Sequence, residues 1–240
     1  MTDRSATADF REQPRYLVAE AAHYLNVPAS TVRYWCVGKP SSPADPEGES
    51  YAPLIEVPEP DVRPTLLSFI NLVELHVVAA IRREHQVNMP NLRSAIDYLR
   101  EHTADPTERR HPLVSRELET DGLDLFVERH GRLVNVSRAD QVVIRERLGA
   151  TLRRIERDTD GIPFRLYPFT RSTVVQTPSI IVIDPRLSAG RPVIAGTGPV
   201  TEIIAERYKA GESVDRLAAD HEREEKEIEE AIRCELRLAA

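Results

Sequence analysis

At 240 residues, 41% hydrophobic and 30% charged, the chain has the composition of a globular protein able to hold one large domain or two to three small ones. A net charge of -7 excludes a surface coated with basic groups for indiscriminate nucleic-acid binding, while leaving room for a local basic patch. No apolar run approaches the roughly 20 residues that span a bilayer, the first residues lack a basic-then-apolar leader, and the two cysteines, Cys36 and Cys234, stand in no CxxC or metal spacing and read as structural thiols, not a disulfide framework. A cytoplasmic protein with reduced thiols is expected.

Residues 1–14 are polar and aperiodic and read as a loose arm. Val18, Ala21, Ala22 and Leu25 then share one helical face, Asn26-Val27-Pro28 breaks the helix, and Ser30 is placed to cap a second one that turns Val32 and Trp35 inward. Seven prolines between Gly38 and Pro64 predict a linker without a packed core. Residues 66–84 form an apolar helix with Leu66, Ile70, Val73, Val77 and Ile81 in one stripe and Phe69, Leu72, His76 and Ala80 beside it, central either to a core or to a dimer interface. Pro90 opens a further helix that buries Leu92, Ile96 and Leu99.

Residues 123–128 and 133–136, flanking His130-Gly131, carry a hairpin signal. An amphipathic helix over 140–158, with Val143, Leu148, Leu152 and Ile155 inward, is stopped by Gly161, and residues 164–169 and 180–183 read as strands. After Thr197, Pro199 starts a helix expected to bury Ile203, Ile204 and Tyr208 and to end at Gly211. Ser213 caps the next, with Val214, Leu217 and Ala218, and the last buries Ile228, Ala231 and Ile232 while exposing its glutamates. The fold expected is mainly α with small β elements, divided as 1–110, 111–170 and 171–240.

The run Val18 to Leu25, the turn Asn26-Val27-Pro28, then Ser30-Thr31-Val32-Arg33-Tyr34-Trp35 and Gly38, resembles the winged helix-turn-helix domains of the MerR and excisionase type. A buried Ala21-Ala22 pair lets the first helix approach the second, which then offers its polar residues to a major groove. The resemblance implies that Ser30, Thr31, Arg33 and Tyr34 face operator DNA, with Lys39 and Arg15 as basic reinforcement. Arg33 offers a bidentate fork for guanine or phosphate. The Pro-rich stretch stands where that family has its wing, and dimerisation through residues 66–81 would double the contact.

The stretch Ile183-Asp184-Pro185-Arg186-Leu187-Ser188-Ala189-Gly190-Arg191-Pro192-Val193-Ile194-Ala195-Gly196-Thr197 closes an apolar run and opens a three-helix segment. Its glycines make neither GxGxxG nor a P-loop, so a structural turn is expected in place of a phosphate cradle. The pattern resembles the domain-of-unknown-function 433 family, found mainly as antitoxins beside RNA-cleaving toxins. Members usually carry Gly-Thr-Arg where this chain has Gly196-Thr197-Gly198. The second helix-turn-helix is a poor DNA reader, because Glu222, Glu224, Glu225, Glu227, Glu229 and Glu230 repel phosphate. That acidic run is either a solvated face or a docking surface for a basic protein.

No enzyme, cofactor or metal site is expected: the histidines (His23, His76, His85, His102, His111, His130, His221) show no ligand spacing, and Asp158/Asp160 and Asp121/Asp124 border turns. Together the two resemblances imply a VapB-type antitoxin similar to mycobacterial ones. It would bind its own promoter, act as a homodimer, and dock a cognate PIN-type ribonuclease toxin through Arg186, Arg191, Glu224, Glu227, Arg233 and Arg237. The alternative is a stand-alone MerR-like transcription regulator with an effector domain in 111–240.

Overall fold

The computed structural model describes residues 9–39, 50–85, 89–115, 118, 138–171, 177–196 and 198–236. The fold is mainly helical. Short strand β1 (Tyr16–Leu17) leads into α1 (Val18–Leu25) and α2 (Ala29–Val37); β2 (Leu66–Leu67) precedes α3 (Phe69–His85), α4 (Met89–His102) and α5 (Pro106–Arg110). A 3-10 turn at Pro112–Val114 and α6 (Arg138–Leu152) follow, then β3 (Ile155–Arg157), β4 (Pro163–Leu166), β5 (Ile181–Val182) and β6 (Val193–Ile194). The chain closes with α7 (Thr201–Lys209), α8 (Val214–His221) and α9 (Glu225–Leu236). Strands pair two by two and antiparallel: β1 with β2, β3 with β4, β5 with β6. The hairpin expected at 123–136 lies outside the described residues. No helix among the described residues is long and apolar enough to cross a membrane.

Helix α3 is the axis of the main core. Reciprocal bonds of 3.1 Å between Ser68 and Asn71, each backbone N–H to the other's side-chain oxygen, close its first turn as a capping box and explain why the helix starts after Leu66 and Leu67. Every residue from Leu67 to Ile81 is buried, against α6, α1 and the 3-10 turn. From Leu67 to Ile81 its apolar stripe is therefore consumed within the chain and is not offered to a dimer. His76 is buried there, stacked on Phe169 at 4.5 Å.

Several sequence expectations change for physical reasons. Residues 9–14 are tied down: Arg11 bridges Asp9 and Asp158, and its carbonyl accepts from Ile70 N–H at 3.2 Å. The Pro-rich region is not coreless, since Leu54, Ile55 and Val57 are buried in the main cluster. The helix over 140–158 ends at Leu152, and Ile155 lies in a hairpin. There the Asp158 carboxylate accepts from Asp160 and Ile162 N–H at 3.0 and 2.9 Å, and Gly161 takes φ +81, so the turn chemistry of Asp158 to Gly161 outcompetes helix continuation. Helix α7 buries Thr201, Ile204 and Ala205, whereas Ile203 and Tyr208 are 50% and 40% exposed.

Two of the joints that attach the C-terminal unit run to backbone groups. Leu166 and Ile183 exchange backbone hydrogen bonds at 3.0 and 2.8 Å. Buried Arg154 donates to four backbone carbonyls, those of Tyr167, Pro168, Thr177 and Pro178, at 2.7–3.2 Å. Beyond them a second core forms from Ile181, Ile194, Ile204, Leu217, Ile228 and Ala231 with their neighbours.

Candidate functional site

The first site candidate is the surface of α2. Ala21 and Ala22, nearly solvent-free, let α1 and α2 close together. Asn26 takes the left-handed conformation (φ 52, ψ 51), and its N–H bonds back to the carbonyls of Ala22 and His23, ending α1. Asn tolerates that conformation because its side chain is short and polar. Pro28 presets the entry to α2, which begins at Ala29 with no side-chain cap. The expectation that Ser30 caps this helix is thus corrected: Ser30 lies exposed on the first turn, at the end where N–H groups point outward.

Below that face Val32, Trp35 and Cys36 are buried. Burial, with a smaller contribution from Glu74, pushes the Cys36 thiol up to about 12, so it is a packing residue and not a nucleophile. Arg33 and Lys39 are exposed, Thr31 and Tyr34 half-buried. Tyr34 meets Tyr51 edge to face at 6.0 Å, and Arg93 of α4 lies over both rings. Lys39 and Tyr51 form an antiparallel bridge where the family's wing would stand. Tyr51 and Arg93 carry no motif and lie far from α2 in sequence, so no pattern in the chain pointed to them.

The second candidate repeats the first in backbone and inverts it in charge. Glu222 takes the same left-handed turn (φ 53, ψ 46), its N–H bonds to the carbonyls of Ala218 and Ala219, and Arg223 N–H bonds to Ala218 as Val27 N–H does to Ala22. Ile228 falls where Val32 stands, both without solvent exposure. Helix α9, the counterpart of α2, exposes Glu225, Lys226 and Glu229, and Glu224 is exposed just before it. Glu230 turns inward instead, almost fully buried, accepting from Thr170 and Arg171 and paired with Arg233.

Among the described residues, those expected to meet a toxin are engaged within the chain. Arg186 is held at 2.7 Å by buried Asp184, which also accepts from Arg165, and stacks on Phe164. Burial raises the Asp184 carboxyl, and the hydrogen bonds from Arg186 and Arg165 outweigh it, so its net shift is downward. Arg191 pairs with Glu202 at 3.4 Å, Glu224 with Lys226 at 2.6 Å, and Glu227 accepts from Glu224 N–H at 3.0 Å as a helix cap. Arg186 and Arg191 are thus built into the β5–β6 loop, apart in sequence and bonding from the α9 residues. Arg237 lies outside the described residues. The two helix-turn-helix units touch through His23 of α1 and Glu235 of α9, 2.9 Å apart, with Thr201 also donating to Glu235.

One buried ion network lies away from both faces. His111 contacts Glu74 at 3.0 Å and Glu12 at 3.3 Å. Burial disfavours its charged form, but the Glu74 and Glu12 carboxylates overcome this and raise His111 to about 10. Among the described residues no group of three or more His, Cys, Asp or Glu could hold a metal ion.

The geometry defines a chain with two helix-turn-helix units, the second of them acidic. Residues 14–96 match the family described as "Putative DNA-binding HTH domain" and residues 181–233 the family described as "Protein of unknown function (DUF433)". Over 225 residues the chain is 28% identical to "Putative antitoxin VapB45" of Mycobacterium tuberculosis (strain ATCC 25618 / H37Rv), covering 87% of this chain and 88% of that one. The crystal structure of Rv2018 from Mycobacterium tuberculosis has the same fold, with a TM-score of 0.63 at 23% identity over 92% of this chain and 98% of that one.

Proposed function

We propose that the chain is an antitoxin of a type II toxin–antitoxin system, acting in the cytoplasm as a homodimer. In this reading residues 1–110 bind operator DNA and autoregulate the operon, 171–240 dock and silence a cognate PIN-type ribonuclease, and 111–170 join the two. The observation that carries it is the charge contrast between two turns of one geometry: α2 exposes Ser30 and Arg33, with Lys39 exposed just beyond its end, and α9 exposes carboxylates. A phosphate backbone is attracted to the first surface and repelled by the second, while a basic protein surface prefers the second. The similarity to a protein named as an antitoxin covers 87% of this chain.

Ser30, Thr31, Arg33 and Lys39 are the DNA contacts in this account, with Tyr34 placed at the edge of the face by its ring partners. Toxin contact falls first on Glu224, at the start of α9, and on Glu227 and Arg233 within it. Arg186 and Arg191 join only by exchanging Asp184 and Glu202 for toxin carboxylates. The dimer forms through a face other than α3, and light scattering should return twice the 27.1 kDa chain mass.

Co-expression with the product of the adjacent open reading frame tests the reading. Co-purification of the two, weakened about tenfold or more by Glu224→Lys with Glu229→Lys, is expected. A chain that binds its promoter but ignores that neighbour is a stand-alone regulator.

A further inference from the structure

Arg93 is not part of α2, yet it controls what lies beside it. Its guanidinium carbon sits 5.7 Å from the Tyr34 ring centroid and 5.5 Å from that of Tyr51, and its Nη1 donates to the Ala52 carbonyl. Its Nε and Nη2 are shielded from solvent, so a phosphate cannot reach them. The chain leaves α2 through Gly38 and Lys39 and returns at Tyr51. Lys39 and Tyr51 exchange two backbone bonds, at 2.9 and 2.8 Å, and Leu54 N–H donates to the Trp35 carbonyl at 2.8 Å. Gly38, at φ +75, comes so near that a Cβ would lie 2.3 Å from the Tyr51 carbonyl oxygen. The backbone position of Lys39 is therefore set by the Tyr51–Ala52 segment, and Arg93 is the side chain that grips that segment.

We propose that Arg93 is a positioning residue of the DNA-reading face. By holding Tyr51 and Ala52 against Tyr34, it sets where the Lys39 ammonium lies relative to Arg33. A cation over two aromatic rings, partly desolvated, holds more strongly than an exposed one. The inference rests on the DNA-binding reading above, and it moves Tyr34 from groove contact to anchor.

The test is binding of the full chain to a duplex of the DNA directly upstream of its own coding sequence, titrated over a range of salt concentrations. Arg93→Met and Lys39→Ala are each expected to weaken binding about tenfold and to lower the salt slope by about one, the signature of one lost phosphate contact. The double variant should be no weaker than either single one, because both remove the same contact. Arg93→Lys, which keeps a cation for the rings and a donor for Ala52, should recover most of the affinity. Should Arg93→Met fail to fold, Tyr51→Leu removes one ring with the same expected result. Unchanged affinity and salt slope in Arg93→Met, or full additivity with Lys39→Ala, overturns the proposal while wild-type binding preserves the DNA reading. A wild-type chain that does not bind the duplex overturns both.

Discussion

Single residues decide where this fold is vulnerable. Glu74 is buried on α3 and compensated by His111, so His111→Ala leaves a buried carboxylate unpaired and is expected to cost about 3–5 kcal/mol, measurable by denaturant unfolding. The pH dependence follows from the sign of the shift. The folded pKa of His111, about 10, exceeds its ordinary value of 6.5, so its stabilisation is complete below about pH 6.5 and is lost as pH rises through about 10. Thermal midpoints should fall across that window in the wild type, and His111→Gln should flatten the decline. At the DNA face, Arg33→Ala is expected to lose about 1–3 kcal/mol of operator binding if its fork reads a base, with the loss confined to one position of the site. A uniform loss across sequences instead marks Arg33 as a phosphate contact.

At the scale of elements, Gly198 packs more tightly than any side chain allows: it stands where the resemblance set out above implies Arg, and a Cβ at that position would lie 1.6 Å from the Ile194 carbonyl oxygen. Restoring the residue by Gly198→Arg should therefore lower stability, by about 2–3 kcal/mol in chemical denaturation, and not improve docking.

The helix-turn-helix units were legible in the chain because Ala21, Ala22, Val32 and Trp35 must all be inward for two helices to close on a short turn. The β3–β4 hairpin was not, because Ile155 sits at a spacing from Leu148 and Leu152 that also suits a helix. Leu54, Ile55 and Val57 were hidden for a related reason: neighbouring prolines exclude regular structure but do not prevent an irregular segment from burying its apolar side chains. The candidate site was half legible. Ser30, Arg33 and Lys39 are exposed, as residues of a contact face have to be, whereas Tyr51 and Arg93 reach α2 from distant elements.

For the whole molecule, the two charge-inverted units form one body, joined by the Leu166–Ile183 bridge, by Arg154 and by the His23–Glu235 pair. A partner seated on α9 is thereby one contact away from α1. The account's central claim is that this acidic unit silences a ribonuclease. The direct measurement is RNA cleavage by the purified product of the adjacent open reading frame, with and without a stoichiometric amount of this chain. Cleavage abolished at one-to-one stoichiometry, and restored by Glu224→Lys with Glu229→Lys, is the predicted result. Cleavage that proceeds unchanged in the presence of excess chain, or a neighbour that cleaves no RNA, contradicts it.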